Sequence, residues 1–344
     1  MLFLVSMQRL LANIIYFVMC GFSLLPLRVH YCISDIMRFF LQYILRYRRK
    51  LILKHLRMCF PEMGEKELRK TAGGFYEYLT DTFVECIWQL MASNRTLFKH
   101  ISGYEDNTLN RLFQKHNKVL LLMGHFGNWE MLYGFCAPNA ARTPDYFSSY
   151  VTVNVAYKAM EGSVADIISQ KMRTNSFRKN RALGGVVESN KILRHILGSK
   201  GEKGLYVLIA DQSPLPGKRV VANFFNLPTL MMAGPEYIAT KMNIPVVYYG
   251  IRRLKRGKYE IHYKLIAEEP ARQPEYFVTR EYARYLEEDI RAFKSTWLWS
   301  HKRWKRPLSA EEWEEYAKIT SPEHAARCHT PEYDNKNLEI DTLE

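Results

Sequence analysis

The segment LLLMGHFGNWE, residues 120–130, ends an apolar run abruptly in glycine, histidine and a second glycine. Val119–Met123 has the length and composition of a buried strand, and Gly124-His125-Phe126-Gly127 turns out of it toward an expected helix over 129–137. In sheets with helices on their faces, ligands gather beyond the carboxyl ends of strands. Glycine there permits tight turns and close approach of a substrate to backbone. A helix start offers free N–H groups to an anion or a developing oxyanion. His125 therefore stands where catalytic groups stand, with Glu130 five residues on.

That spacing is not specific by itself. His30–Asp35 and His100–Glu105 repeat it, and roughly one residue in ten is acidic. Neither of those histidines follows a strand. A neutral imidazole at His125 can take a proton from a hydroxyl or amine attacking a thioester, and Glu130 is expected to orient it and stabilise its charged form. No serine or cysteine nucleophile is required, and a lipid esterase is disfavoured because no Gly-x-Ser-x-Gly elbow is present.

Around this motif, short apolar runs alternate with helical periodicity. Strands are expected at Val119–Met123, Tyr146–Val153, Leu205–Ala210, Arg219–Phe224, Ile244–Gly250 and Tyr259–Ile266. Helices are expected at 64–92, 163–173, 186–198, 234–242 and 277–293. The pattern predicts an α/β fold, a central mixed sheet flanked by helices, with an N-terminal membrane-anchoring helical segment. The expected divisions are 1–60 as anchor and interfacial helix, 61–310 as the α/β domain, and 311–344 as a partly disordered acidic tail.

The 344 residues carry a formal net charge of +14, which points to an anionic partner. From Ser321 onward six acids face only Arg327 and Lys336, so the body is more basic than the total. The six cysteines form no CxxC pair and are expected as free thiols, with no metal site and no cofactor. Arg9 and Arg28 bracket 18 uncharged residues, LLANIIYFVMCGFSLLPL, just long enough for a spanning helix. Arg38, Arg46, Arg48, Arg49 and Lys50 follow the run, so the bulk of the chain is expected on the cytoplasmic side, with residues 35–47 at the membrane interface.

With these residues in view, GHFGNWE resembles the His-x4-Asp/Glu motif of the bacterial lipid A biosynthesis acyltransferases, the late lauroyl- and myristoyl-transferases. Further matches follow in the family's order over roughly residues 8–307. Tyr157-Lys158 stands at a Tyr-Arg pair, and Lys171-Met-Arg173-Thr-Asn resembles a basic helix. Leu208-Ile-Ala-Asp211-Gln212 resembles a strand with an Asp-Gln turn. Phe224-Phe-Asn226-Leu-Pro228 matches Phe-Phe-Gly-x-Pro, and Trp297–Pro307 resembles the C-terminal signature, expected here as a helix with a basic face. Lys158 replaces an arginine, Asn226 a glycine, and Lys294 stands where a proline is usual; losing the bidentate fork at Lys158 bears mainly on the acceptor.

The resemblance implies a membrane-bound enzyme moving an acyl chain from acyl carrier protein or acyl-CoA onto a hydroxyl of an anionic glycolipid, a lipid A precursor. It implies a place at the bacterial inner membrane with the catalytic domain on its cytoplasmic face. His125 and Glu130 are the expected catalytic pair; Asn128, Tyr157, Lys158, Arg173, Asp211 and Gln212 are the expected substrate-binding residues. Acylation of an amino-acid or glycerol lysolipid is the alternative, as is a non-catalytic lipid or carrier-protein binder. The basic face near 302–306 comes with no nucleic-acid motif, and an anionic lipid surface is the better partner.

Overall fold

The computed structural model describes residues 2–103, 106–131, 150–158, 163–180 and 184–329. In chain order it begins with helices α1 (Leu2–Ser23), α2 (Leu27–Phe39), α3 (Arg49–Cys59), α4 (Glu65–Trp88) and α5 (Asn94–Phe98). Strand β1 (Ile101–Ser102), helix α6 (Thr108–Lys115) and strand β2 (Lys118–Met123) follow, then a short 3-10 turn at Trp129–Met131. Next come β3 (Thr152–Tyr157), α7 (Val164–Asn180), β4 (Gly184–Glu188), α8 (Ile192–Gly198) and β5 (Gly204–Ile209). The chain continues through the hairpin β6 (Arg219–Phe224) and β7 (Leu227–Met232), then α9 (Ala233–Met242), β8 (Val246–Lys255) and β9 (Lys258–Ala267). It closes with α10 (Phe277–Ala292), α11 (Ala310–Ile319) and α12 (Pro322–Cys328).

Seven strands form one mixed sheet in the order β1-β9-β8-β2-β5-β3-β4. The β8–β9 pair is antiparallel and the other pairings are parallel. β2 lies near the middle, and both of its faces are covered. Leu120 and Leu122 enter one core cluster while Val119, Leu121 and Met123 enter the other. This two-sided burial is why the strand reads as an unbroken apolar run. On the first face α10 lays down Val278, Tyr282, Leu286 and Ile290, spaced four residues apart and all buried.

Most expected elements appear with shifts of a few residues, and three differ in kind. The helix expected over 186–198 is strand β4 followed by the shorter α8; a two-valine edge strand after two glycines carries too little pattern to separate from the helix behind it. Arg219–Phe224 leaves the main sheet and pairs with β7, turning through Phe225 and Asn226 at φ 58° and 56°. Asparagine tolerates that left-handed backbone, so Asn226 fills the family's glycine position without breaking the turn. Trp297–Pro307 is irregular chain rather than helix, with Trp297, Trp299 and Trp304 buried in the core. The expected strand at 146–153 overlaps β3, although 146–149 lie outside the described residues, as does most of the helix expected over 129–137.

The acidic tail also begins later than expected. Ser309 opens α11 with a capping box closed by Glu312, and Trp313, Tyr316 and Ala325 bury themselves against Val221 and Leu230 of the hairpin. The tail beyond 329 lies outside the described residues.

At the N-terminus the 18-residue uncharged run is split. Pro26 lacks an N–H and stands at the start of α2. The segments Met7–Ser23 and Leu27–Ile44, the second ending in a π-helical turn, cross at 118°. Among the described residues no single helix is long and apolar enough to cross a membrane. Both segments carry exposed apolar side chains, among them Leu10, Phe17, Ile36 and Phe39. α2 is tied to the body by charge. Asp81 of α4 is fully buried and accepts from Ser34 at 2.6 Å, Arg253 at 2.5 Å and Arg256 at 2.7 Å, while Arg256 also reaches Asp35.

Candidate active site

Met123 of β2 is level with Ile209 of β5. Two residues further along each strand stand His125 and Asp211, so adjacent parallel strands deliver an imidazole and a carboxylate to the same place. The His125 ring Nδ1 lies 2.6 Å from Asp211 Oδ1, and the His125 backbone N–H donates to Asp211 Oδ2 at 2.8 Å. The Trp297 indole N–H also donates to Oδ2, at 2.8 Å. A carboxylate only accepts, so Nδ1 carries the proton and Nε2 is left as the basic nitrogen. The Gln212 amide lies 3.3 Å from Nε2.

Burial would raise the Asp211 carboxyl, but the His125 charge, the hydrogen bonds from its ring and backbone, and the Trp297 indole together outweigh it. They hold the group at about 2, below its usual 3.8. Asp211 is thus an anion throughout the physiological range. The His125 side chain keeps 17 % of its surface exposed against 3 % for Asp211, so the imidazole is reachable and its partner is not.

The loop is clamped from both sides. Gly124 leaves no room for a side chain, since a Cβ would come within 2.7 Å of Leu286 and 3.2 Å of Asp211. Gly127 adopts φ +57°, where a Cβ would collide with the Ile251 carbonyl at 1.7 Å. Its N–H donates to the Thr296 carbonyl and its own carbonyl accepts from Tyr78. Leu298 N–H donates to the His125 carbonyl, and Tyr282 donates to the Met123 carbonyl. The ring of Trp129 meets the His125 ring edge-on at 5.2 Å.

These contacts revise several expectations. Glu130 does not hold the imidazole: the chain after Gly127 makes a 3-10 turn, and Glu130 pairs instead with Arg173 of α7 at 2.9 Å. Asn128 is fully buried, donating to Glu85 of α4 at 2.7 Å, which places it under the loop rather than against a substrate. Glu85 also accepts from Tyr31 of α2 at 2.7 Å and Tyr259 at 2.5 Å, so one buried carboxylate joins the N-terminal helix to the loop. The backbone N–H groups of His125 and Gly127 are both engaged and do not face an oxyanion.

The remaining expected residues line the same edge. Tyr157 ends β3 and accepts from Gln170 at 3.0 Å; Lys158 follows it, exposed and without an ion pair among the described residues. Asp211 and Gln212 contact the His125 ring, while Arg173 and Glu130 pair with each other at the turn that follows it. Sequence reasoning did not single out Trp297, whose indole fixes Asp211, or His301. Burial keeps the His301 imidazole at about 4, against the pull of Asp211. The recurring tryptophans at 297 and 299 were a packing signal, and only the fold shows that one of them is also a donor.

The site therefore combines a strand-end imidazole, a buried carboxylate on its Nδ1 and a cation–carboxylate pair beside it. It can abstract a proton and return it. The chain belongs to the bacterial lipid A biosynthesis acyltransferase family, whose profile matches residues 4–136 and 169–306. It is an acyltransferase by family. A comparison with curated proteins gives no match.

Proposed function

We propose that this protein transfers a fatty acyl chain from an acyl thioester to a hydroxyl of a lipid A precursor at the cytoplasmic face of the bacterial inner membrane. The observation that carries this reading is the 2.6 Å contact between His125 Nδ1 and Asp211, which puts the proton of the neutral ring on Nδ1 and leaves Nε2 as the nitrogen that can accept one. The acceptor hydroxyl gives its proton to Nε2 as its oxygen attacks the thioester carbonyl carbon. The carbon–sulfur bond of the tetrahedral intermediate then breaks, and the imidazolium returns the proton to the leaving thiolate. Asp211 holds the ring in its working tautomer and stabilises the charged form.

Stabilisation of the oxyanion is assigned to Arg173, which bonds Glu130, and to the amide of Gln212, 3.3 Å from Nε2. Membrane attachment is assigned to α1, α2 and the π-helical turn, whose exposed apolar side chains insert at the interface while Arg46, Arg49 and Lys50 meet anionic headgroups. α1 also packs along α7, with Lys171 over the Tyr16 ring at 5.5 Å, so the attached segment touches the helix that carries Arg173.

The test is mass spectrometry of total lipids from cells lacking the gene, complemented by wild type or His125→Ala. Loss of one acyl chain from lipid A, restored only by wild type, is expected. Unchanged lipid A with another acylated lipid missing would move the acceptor, and full rescue by His125→Ala would defeat the mechanism.

A further inference from the structure

Edge strand β4 borders a second feature. A cleft of about 690 Å³ runs along β4 and α8, from Tyr157, Glu188 and Lys191 at the carboxyl edge past Arg194 to Ser199 and Glu202 at the opposite edge. Its volume falls in the roughly 300–1,000 Å³ range of small-ligand sites. Strand register fixes where it stands. Val155 is level with Val207 and Val207 with Leu121, so Tyr157 and its neighbour Glu188 lie level with Met123. Three strand spacings separate β4 from β2, about 14 Å.

The ground between cleft and imidazole is also defined. Asp166, Gln170 and Arg173 recur at helical spacing on one face of α7. Gln170 bonds both Asp166 and the Tyr157 hydroxyl, and Arg173 bonds Glu130. A single polar helix face thus runs from the cleft to the turn beside His125.

We infer that this cleft seats the phosphopantetheine arm of the acyl donor, with its phosphate at Arg194 and its thioester at His125. The inference rests on the acyl-transfer reading above. The arm is linear and amphipathic, with methyl groups, two amides and an anionic end, and its extended length covers the span from β4 to β2. The lining matches that chemistry: valines form part of the wall, Ser199 and Tyr157 offer hydroxyls, and β4 is the edge strand of the sheet. Glu188 is neutralised by Lys191 at 2.8 Å, and Glu202, also in the lining, stands in the field of Lys118. Arg194 is exposed and has no ion-pair partner among the described residues. Leu197, on the same short helix, leaves 54 % of its surface in solvent, where the body of a carrier protein would rest.

The same arm belongs to CoA and to acyl carrier protein, and the experiment separates them. Full-length protein is assayed in detergent with acyl-CoA, acyl carrier protein thioester and phosphate-free acyl-pantetheine, for wild type, Arg194→Glu and Leu197→Glu. Arg194→Glu is expected to raise KM about tenfold for both phosphorylated donors, the worth of one charge-assisted contact, with kcat and the acyl-pantetheine KM unchanged. If the natural donor is the carrier protein, Leu197→Glu raises KM for that donor alone; if it is CoA, Leu197→Glu is silent and Arg194→Glu still acts.

An equal effect of Arg194→Glu on all three donors, or a rise in acceptor KM instead, would overturn the assignment. Calorimetric binding of CoA to wild type and Arg194→Glu measures the same phosphate contact without turnover, and equal affinities would count against it. No transfer from any thioester by wild type would sink the acyl-transfer reading itself, while weakened CoA binding in Arg194→Glu would still support the cleft.

Discussion

Asp211 Oδ1 lies 2.6 Å from His125 Nδ1, and the two residues come from neighbouring parallel strands two positions beyond paired Met123 and Ile209. The carboxylate that orients the imidazole is therefore 86 residues away in sequence and one strand away in space. Its three donors, two from His125 and one from Trp297, allow only a group that accepts on both oxygens.

Asp211→Asn tests that directly. An asparagine that accepts from the His125 N–H and Trp297 turns its NH2 toward Nδ1 and forces the proton onto Nε2, the wrong tautomer. The fold should persist while kcat falls on the order of 10^4, as for a carboxylate in this role. Nitrogen NMR of the imidazole would report the tautomer independently of turnover.

Glu130 pairs with Arg173 at 2.9 Å, and the proposed mechanism has it act through that arginine. Glu130→Ala, Arg173→Ala and the double variant should fall to nearly the same activity, because the second substitution removes a group the first has already displaced. Independent losses that multiply would mean that Glu130 touches the reacting groups on its own.

The buried Asp81 secures α2 to the body. Asp81→Ala leaves Arg253, itself mostly buried, without its closest carboxylate and should cost about 3–5 kcal/mol of stability. Urea denaturation would measure this, and Asp81→Asn should lose less because it still accepts hydrogen bonds from Ser34.

Acid should weaken the fold through His55. Burial lowers this imidazole from 6.5 to about 3, against a hydrogen bond to the Trp299 carbonyl. The unfolded chain takes up the proton near pH 6.5 and the folded one only near pH 3, so the unfolded state binds more protons between them. Stability is complete above that window and declines as pH falls through it, by up to about 1.4 kcal/mol per unit from this group. Unfolding midpoints across the range should show a shallower acid slope in His55→Gln than in wild type.

Much of this was legible in the chain. Val119–Met123 and Leu205–Ala210 stand out because burial on both faces demands unbroken apolar runs, and the histidine and the Asp211-Gln212 turn at their ends mark one sheet edge. The partnership between those ends was not legible, since spacing along the chain favours Glu130 and only strand order brings Asp211 closer. Glu130 sits in the short 3-10 turn Trp129–Met131 and reaches Arg173 instead. Strand β4 was hidden by its brevity, and Trp297 by the double use of one side chain as filler and donor. The N-terminal run was long enough to span, but Pro26 divides it into two helices at a steep angle.

The central claim is that His125, held by Asp211, moves the proton in acyl transfer. The most direct measurement is thiol release from an acyl thioester by purified full-length protein with an anionic glycolipid acceptor, comparing wild type with His125→Ala at matched circular dichroism. Release that depends on the acceptor in wild type and falls to background in His125→Ala is the expected result. Undiminished, acceptor-dependent release by His125→Ala would contradict it.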